Sequence, residues 1–434
     1  MTDPAIAKFL AALEETQHLA PERMVAYQRR LLDRLLRHAR AETVFYADRL
    51  APLFRADDSI DWQRWTEIPI LTRAAAQEDG DAMRAANLPS VAGAVHVATS
   101  SGSTGRAVRN FTNDLQRIAS ACANERFFAW HGLDPMALTA AIQDISGPEV
   151  AYPHGRRSTG WRIAHPDSPL ITLGISTPIQ RQVEWLRRVA PAVVSTYPSN
   201  LREIGRIAEE DGRPLHVDAV LTVGETISAD MAAEIAHHFG HPPLDQYGST
   251  EIGHVSGTCP HSGKHHIASE LVLIEIVDDA GAPVPDGSDG RIVATAFYNY
   301  AMPFIRYDTG DLGALAAEPC GCGRMLPLFE RILGRSHAIF RFADGTRVSP
   351  MLLAWDMGRF VPHRQCQMVQ TALDRVELRY VPKAPAQTND LEGLTAYVRQ
   401  NLHASLAVDL TAVERIDRLP SGKFADFLGL PPEA

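Results

Sequence analysis

Thr99-Ser100-Ser101-Gly102-Ser103-Thr104-Gly105 puts five hydroxyl side chains and two glycines into seven consecutive positions. The apolar run before it, Val91 to Ala98, reads as a buried strand, and a helical pattern follows from about Asn113. Glycine permits close backbone approach and positive φ, so a turn of this kind can present N–H groups and hydroxyls to phosphate oxygens. A solvated Ser/Gly linker has the same composition. The Gly-Lys-Ser/Thr ending of a Walker loop is absent.

Further stretches lie downstream: Tyr247-Gly248-Ser249-Thr250-Glu251, Arg306-Tyr307-Asp308-Thr309-Gly310-Asp311, Gly334-Arg335 and Ser421-Gly422-Lys423. Together, and in this order, they resemble the adenylate-forming superfamily of acyl-CoA ligases and adenylation domains. Glu42-Thr43-Val44-Phe45-Tyr46, followed by Ile68-Pro69-Ile70-Leu71-Thr72-Arg73, is similar to the opening of the phenylacetate-CoA ligase branch. The resemblance covers nearly the full chain and is strongest from Asp245 to Arg335.

At 434 residues the chain is too long for one core, so two or more domains are expected. A formal charge of −10 gives no general attraction to nucleic acid or to membranes. No apolar run is long enough to span a bilayer, and Met1 to Glu14 lacks a charged-then-apolar signal pattern. Five cysteines, an odd number, argue against a disulfide framework and make a reducing cytoplasm the default. Monomer and homodimer are both open.

Residues 5 to 50 read as helical, with Leu31, Leu32, Leu35 and Leu36 as an apolar stripe and Arg29, Arg30, Arg34 and Arg37 outside it. Asp114 to Trp130 is a further helix. Pro191 to Thr196 and Ala219 to Val223 read as short buried strands, each ending in a polar or small turn: Tyr197-Pro198-Ser199-Asn200 and Gly224-Glu225-Thr226. Strands alternating with helices indicate a mainly parallel sheet. From Glu270 the texture is β-rich. The expected fold is α/β. A large N-terminal domain, residues 1–334, contains a small β subdomain. The resemblance implies that residues 335–434 form a small, mobile C-terminal α+β lid.

The resemblance also implies a reaction: a carboxylate attacks the α-phosphate of ATP, giving an acyl-adenylate and pyrophosphate. Two anions must meet, so cations and N–H donors are needed. Ser101, Gly102, Ser103, Thr104 and Gly105 would cradle the β- and γ-phosphates, followed by Arg106 where the family usually has lysine. Glu251 would hold Mg2+, a hard ion suited to oxygen ligands, with Thr250 on a phosphate oxygen. Gln246, Tyr247, Gly248 and Ser249 lie in the same motif, with Tyr247 near the adenine. Asp311 and Arg335 would take the ribose. Gly224 and Glu225 match a motif beside the nucleotide, with helix capping as the other role open to Glu225. Lys423 would bridge the substrate carboxylate and the α-phosphate. The lid would then rotate about a pivot that here is His337, where the family often has aspartate or lysine. Tyr152, Tyr197, Pro198 and Gly248 are substrate-pocket candidates by position.

Cys259, Cys320 and Cys322 sit with His254, His261, His265 and His266 near the first. In the phenylacetate-CoA ligase branch, a cysteine some residues before a histidine and a later Cys-x-Cys-Gly-Arg recur. Cys259, His266, Cys320 and Cys322 fit that pattern, and three thiolates with one imidazole make a closed, structural zinc site. His265 or His261 could replace His266, and three buried free thiols are the alternative.

The implied function is an AMP-forming ligase that uses Mg-ATP to activate a small, aromatic carboxylic acid and passes it to a thiol, coenzyme A by default. A phosphopantetheine arm on an acyl-carrier protein and an amine are the other acceptors. A non-catalytic nucleotide-binding protein on a degenerate ligase fold is the rival from another class.

Overall fold

The computed structural model describes residues 3–99, 109–335, 340–348, 350, 357–382, 389–417 and 424–430. Three helices open the chain: α1 (Pro4–Thr16), α2 (Pro21–Glu42) and α3 (Val44–Arg49). Proline at the start of α1 and α2 presets φ where no N–H partner is needed. Thr43 joins α2 to α3: its hydroxyl donates to Ala39 O at 2.8 Å and accepts from Tyr46 N at 3.1 Å. Leu32, Leu35 and Leu36 are buried, as the stripe requires.

After α4 (Arg73–Glu78) come the strands β1 (Val95–Thr99) and β2 (Arg109–Asn113), then α5 (Asp114–Trp130). The helix has the expected bounds; the strand before the hydroxyl-rich loop does not. Among the described residues β1 pairs with β2 alone, as a two-stranded antiparallel ribbon, and Val95 and Val97 are 44% and 55% exposed. One neighbouring strand cannot cover both faces, and Gly93, at φ +73°, breaks the apolar run ahead of it. The hydroxyl-rich loop therefore joins the two arms of a ribbon rather than a sheet strand to a helix.

The main sheet collects β3 (Thr139–Gln143), β4 (Arg156–Thr159), β5 (Pro169–Gly174), β6 (Val193–Thr196), β7 (Ala219–Val223), β8 (Leu244–Ser249), β9 (Gly253–Thr258), β10 (His265–Ile267), β11 (Val272–Val277), β12 (Gly290–Ala296), β13 (Tyr307–Leu315) and β14 (Leu328–Arg335). Its order is β11-β12-β13-β14-β10-β9-β8-β7-β6-β3-β5-β4. From β5 to β8 neighbours run parallel, with α6 (Ile179–Val189), α7 (Pro198–Glu210) and α8 (Ala229–Phe239) packed on them. The β-rich part beyond residue 270 is the antiparallel half of this same sheet.

A second sheet, ordered β19-β18-β17-β20, lies in the C-terminal part. It follows the small hairpin β15 (Phe340–Arg341) and β16 (Arg347–Val348) and helix α9 (Met357–Phe360). It comprises β17 (His363–Ala372), β18 (Arg375–Pro382), β19 (Ala407–Ala412) and β20 (Phe427–Leu428), with α10 (Leu391–Asn401) against it. Met368, Leu378, Leu394, Val398 and Phe427 form its own core.

Buried ion pairs fasten the large part: Arg126 with Glu270, Arg162 with Glu125, and Arg306 with Glu275. Arg306 also donates to the carbonyls of Thr66 and Ile68. It is thus a joint between the N-terminal segment and the sheet, although it sits in a motif.

Candidate active site

β8 and β9 form a hairpin whose tip carries Thr250 and Glu251. Gly248 must be glycine, because a Cβ there would lie 2.4 Å from Gly253 O. Ser249 Oγ accepts from Ile252 N at 3.1 Å and closes the turn. Glu251 is 5% exposed, and its Oε1 has no hydrogen-bond partner among the described residues. Arg73 Nη1, at the start of α4, approaches that oxygen to 3.5 Å. A buried carboxylate oxygen without a donor is costly unless something positive completes it. It fits the hard-cation role given to Glu251.

Asn110 Nδ2 donates to Thr250 O, so the stem that leaves the hydroxyl-rich loop is tied to the Glu251 turn. Gln116, on α5, donates to Ile252 O at 2.6 Å from the same side. Ser101 to Gly105, Arg106, His337 and Ser421 to Lys423 lie outside the described residues.

Tyr247 Oη donates to Asp311 Oδ2 at 2.7 Å and lies 3.3 Å from Thr309 Oγ1. The two motifs quoted for nucleotide binding therefore meet. Asp311 pairs in register with Arg335 across β13 and β14, which brings together the backbone positions of the expected ribose pair. Gly334, at φ +74°, abuts the turn after β7: a Cβ there would lie 2.3 Å from Thr226 Oγ1. In that turn Gly224 has φ +85°. Glu225 caps α7, its Oε2 accepting from Ser199 N at 3.1 Å and its Oε1 from Ser199 Oγ at 3.0 Å. Gln246 Nε2 donates to Asn124 Oδ1 on α5.

Of the substrate candidates, Tyr197 is the N-cap residue of α7, Pro198 opens that helix, and Gly248 is in the hairpin. Tyr152 is committed elsewhere. Its hydroxyl donates to Glu184 on α6 at 2.9 Å, and Arg181 and Arg188 stand over its ring. The neighbouring Gly155 packs on Thr172 of β5.

Cys259, His266, Cys320 and Cys322 converge, their ligand atoms all within 4.8 Å of one another. Cys259 Sγ is 3.7 Å from Cys320 Sγ, and His266 Nε2 is 3.2 Å from Cys322 Sγ. His266 Nδ1 lies 3.0 Å from Leu326 O, an arrangement in which Nδ1–H donates and Nε2 turns its lone pair to the thiols. Burial pushes this imidazole down to about 4, which keeps it neutral as a ligand must be. Backbone N–H groups of His261 and Arg324 point at Cys259 and Cys322 sulfur. His265 faces away: its Nε2 is 3.3 Å from Asp245 Oδ2 and its Nδ1 3.2 Å from Ser256 Oγ. The donor set fits a structural zinc ion.

Arg73, Asn110 and His254 escape a reading of local sequence for function. Arg73 was visible only as part of a family-like opening, and nothing local marks Asn110 as the loop's anchor. His254 follows the Glu251 turn on β9, and burial, with Arg126 and His265 adding to it, pushes its ring down to about 3. It is an uncharged imidazole within the hairpin.

A solved 2-hydroxyisobutyryl-CoA ligase, in the postadenylation state with an acyl-adenylate, matches 96% of this chain and 91% of its own, at 20% identity and a TM-score of 0.75. The fold is that of the adenylate-forming ligases. No protein-family model matches the chain. A phenylacetate-coenzyme A ligase of Thermus thermophilus is 31% identical over 218 residues, 48% of this chain and 48% of its own. A fumarate–(S)-2,3-diaminopropanoate ligase of Enterobacter agglomerans is 26% identical over 189 residues, 41% of this chain and 45% of its own. The chain thus spans about half the length of these two relatives. The first of them carries the name of the branch that the motifs suggest. No helix among the described residues is long and apolar enough to cross a membrane.

Proposed function

We propose that this chain is an AMP-forming ligase that activates a small carboxylic acid, aromatic in our reading, with Mg-ATP and transfers the acyl group to coenzyme A. The observation that carries the reading is the Glu251 turn. It holds a buried carboxylate whose Oε1 has no hydrogen-bond donor among the described residues and only the Arg73 guanidinium at 3.5 Å, tied through Asn110 to the stem of a loop rich in hydroxyls and glycine. Tyr247 of β8 is hydrogen-bonded to Asp311 of β13, and the two would take the base and ribose. Magnesium, when bound, would neutralise charge on the α-phosphate. Glu251 would hold it, and Arg73 would add a second cation. Lys423 would meet the charge that develops as the carboxylate attacks. Residues 335–434 would act as the lid that brings Lys423 in and out. Zinc on Cys259, His266, Cys320 and Cys322 would be structural, since protein fills all four positions.

The test is pyrophosphate release across a panel of acids, with the activated product read by mass spectrometry in the presence of coenzyme A, a carrier protein or an amine. The name of the Enterobacter relative, a ligase joining an acid to an amine, keeps the amine in that panel. Adenylate without thioester would move the acceptor to one of the other two. No pyrophosphate with any acid would leave a nucleotide-binding protein.

A further inference from the structure

We propose that Glu225 is a positioning residue that docks the Lys423 segment onto the large domain for the adenylation half-reaction. The inference rests on the ligase reading above. Glu225 is fixed first by α7: both its oxygens accept from Ser199, near the helix N-terminus, where the macrodipole favours an anion. Its Oε1 also accepts from Phe424 N at 2.6 Å, across 199 residues of sequence. An N–H bonded to a carboxylate at that distance is a charge-assisted bond, stronger than one between neutral groups.

Phe424 is held from the other side by the C-terminal sheet. Gln367 Nε2 donates to Ala425 O at 2.8 Å, Met368 N donates to Asp426 O at 2.8 Å, and Phe427 pairs with Met368 on β17. The segment that Glu225 grips is therefore part of that sheet's framework. Phe424 follows Lys423 directly in the sequence, so the grip falls on the residue next to the lysine. The contact is continuous with a wider meeting of the two parts. Arg202 of α7 and Glu234 of α8 line one cavity with His363 and Arg364 of β17. Arg202, Glu234 and Asp426 also lie near enough to act on the charge of Cys366, a partly buried residue of β17. Rotation of the C-terminal part for acyl transfer would break the Phe424 bond and leave the Ser199 bonds intact. Glu225 thus serves one half-reaction and not the other.

The experiment uses the full chain, with E225A and E225Q. Hydrogen exchange is followed at the peptide containing Phe424, and the two half-reactions are run separately. In E225A the Phe424 amide should exchange faster. Adenylation should slow about tenfold to a hundredfold, the worth of one hydrogen bond to a charged group. Transfer from a supplied acyl-adenylate should slow far less than adenylation, by no more than loss of the α7 cap accounts for. E225Q retains an acceptor oxygen and should recover part of the adenylation rate. Unchanged exchange at Phe424 in E225A would overturn the proposal. So would equal slowing of both half-reactions, which is what loss of the α7 cap alone would give. A wild type that makes no adenylate, yet loses Phe424 protection in E225A, would overturn the ligase reading while leaving the docking contact standing.

Discussion

Replacing Glu251 by glutamine separates stability from chemistry at the turn that carries the proposed function. Arg73 Nη1 and Glu251 Oε1 are 3.5 Å apart. At an effective dielectric of about 20 their attraction is about 5 kcal/mol, and holding the ions away from water costs several kcal/mol each. The two terms nearly cancel. Arg73 keeps 24% of its side chain exposed, so water can solvate the charge that the substitution leaves behind. Glutamine also removes the carboxylate's share of that desolvation cost along with its charge. The melting temperature of Glu251→Gln should therefore stay within about 3 °C of wild type, a shift on the order of 1 kcal/mol in a chain of this size. Adenylation should behave otherwise. Losing the group proposed to hold the metal would remove several kcal/mol of charge stabilisation, so pyrophosphate release should fall by about 10³ or more. Differential scanning fluorimetry and a pyrophosphate assay at saturating ATP and magnesium measure the two quantities. Wild-type pyrophosphate release would refute the site assignment. A large drop in melting temperature would refute the energetic argument.

Elemental analysis should find one zinc per chain, lost in Cys320→Ser with a fall in melting temperature larger than any change in adenylation rate, because the site ties Cys259 and His266 to the segment of Cys320 and Cys322. Lys423→Ala should slow adenylation by about 10² to 10³ and transfer from a supplied acyl-adenylate far less; equal slowing would argue against a lysine that serves only the first step. His254 is held at about 3, so the folded chain keeps this ring neutral where the unfolded chain protonates it. Its contribution to stability is complete above pH ~6.5 and falls on acidification toward pH ~3, at about 1.4 kcal/mol per pH unit. Denaturant melts across that range should show the slope, and His254→Asn should make it shallower, leaving the part that His266 contributes.

Local chemistry was enough for much of this protein. The apolar stripe of α2, the run from Asp114 to Trp130, and the short strands ending at Thr196 and Val223 were legible because periodicity and turn residues act within a few positions. So were the motifs, since Gly248 is demanded by a hairpin that its own neighbours build. Which strands become neighbours was not legible. An apolar run from Val91 to Ala98 looks the same whether it ends in a buried sheet or in an exposed ribbon, and the partner, β2, made it a ribbon. The β-rich stretch after Glu270 gave no sign that it would continue the parallel sheet through β9 and β10. The site shows the same divide. Sequence named Glu251, Asp311 and the four zinc-ligand candidates one at a time. The fold alone set Arg73 against Glu251, Tyr247 on Asp311, and Glu225 on the amide beside Lys423. Those contacts join residues 64 to 199 positions apart, and such pairings depend on how whole elements pack, which no window of neighbouring residues encodes.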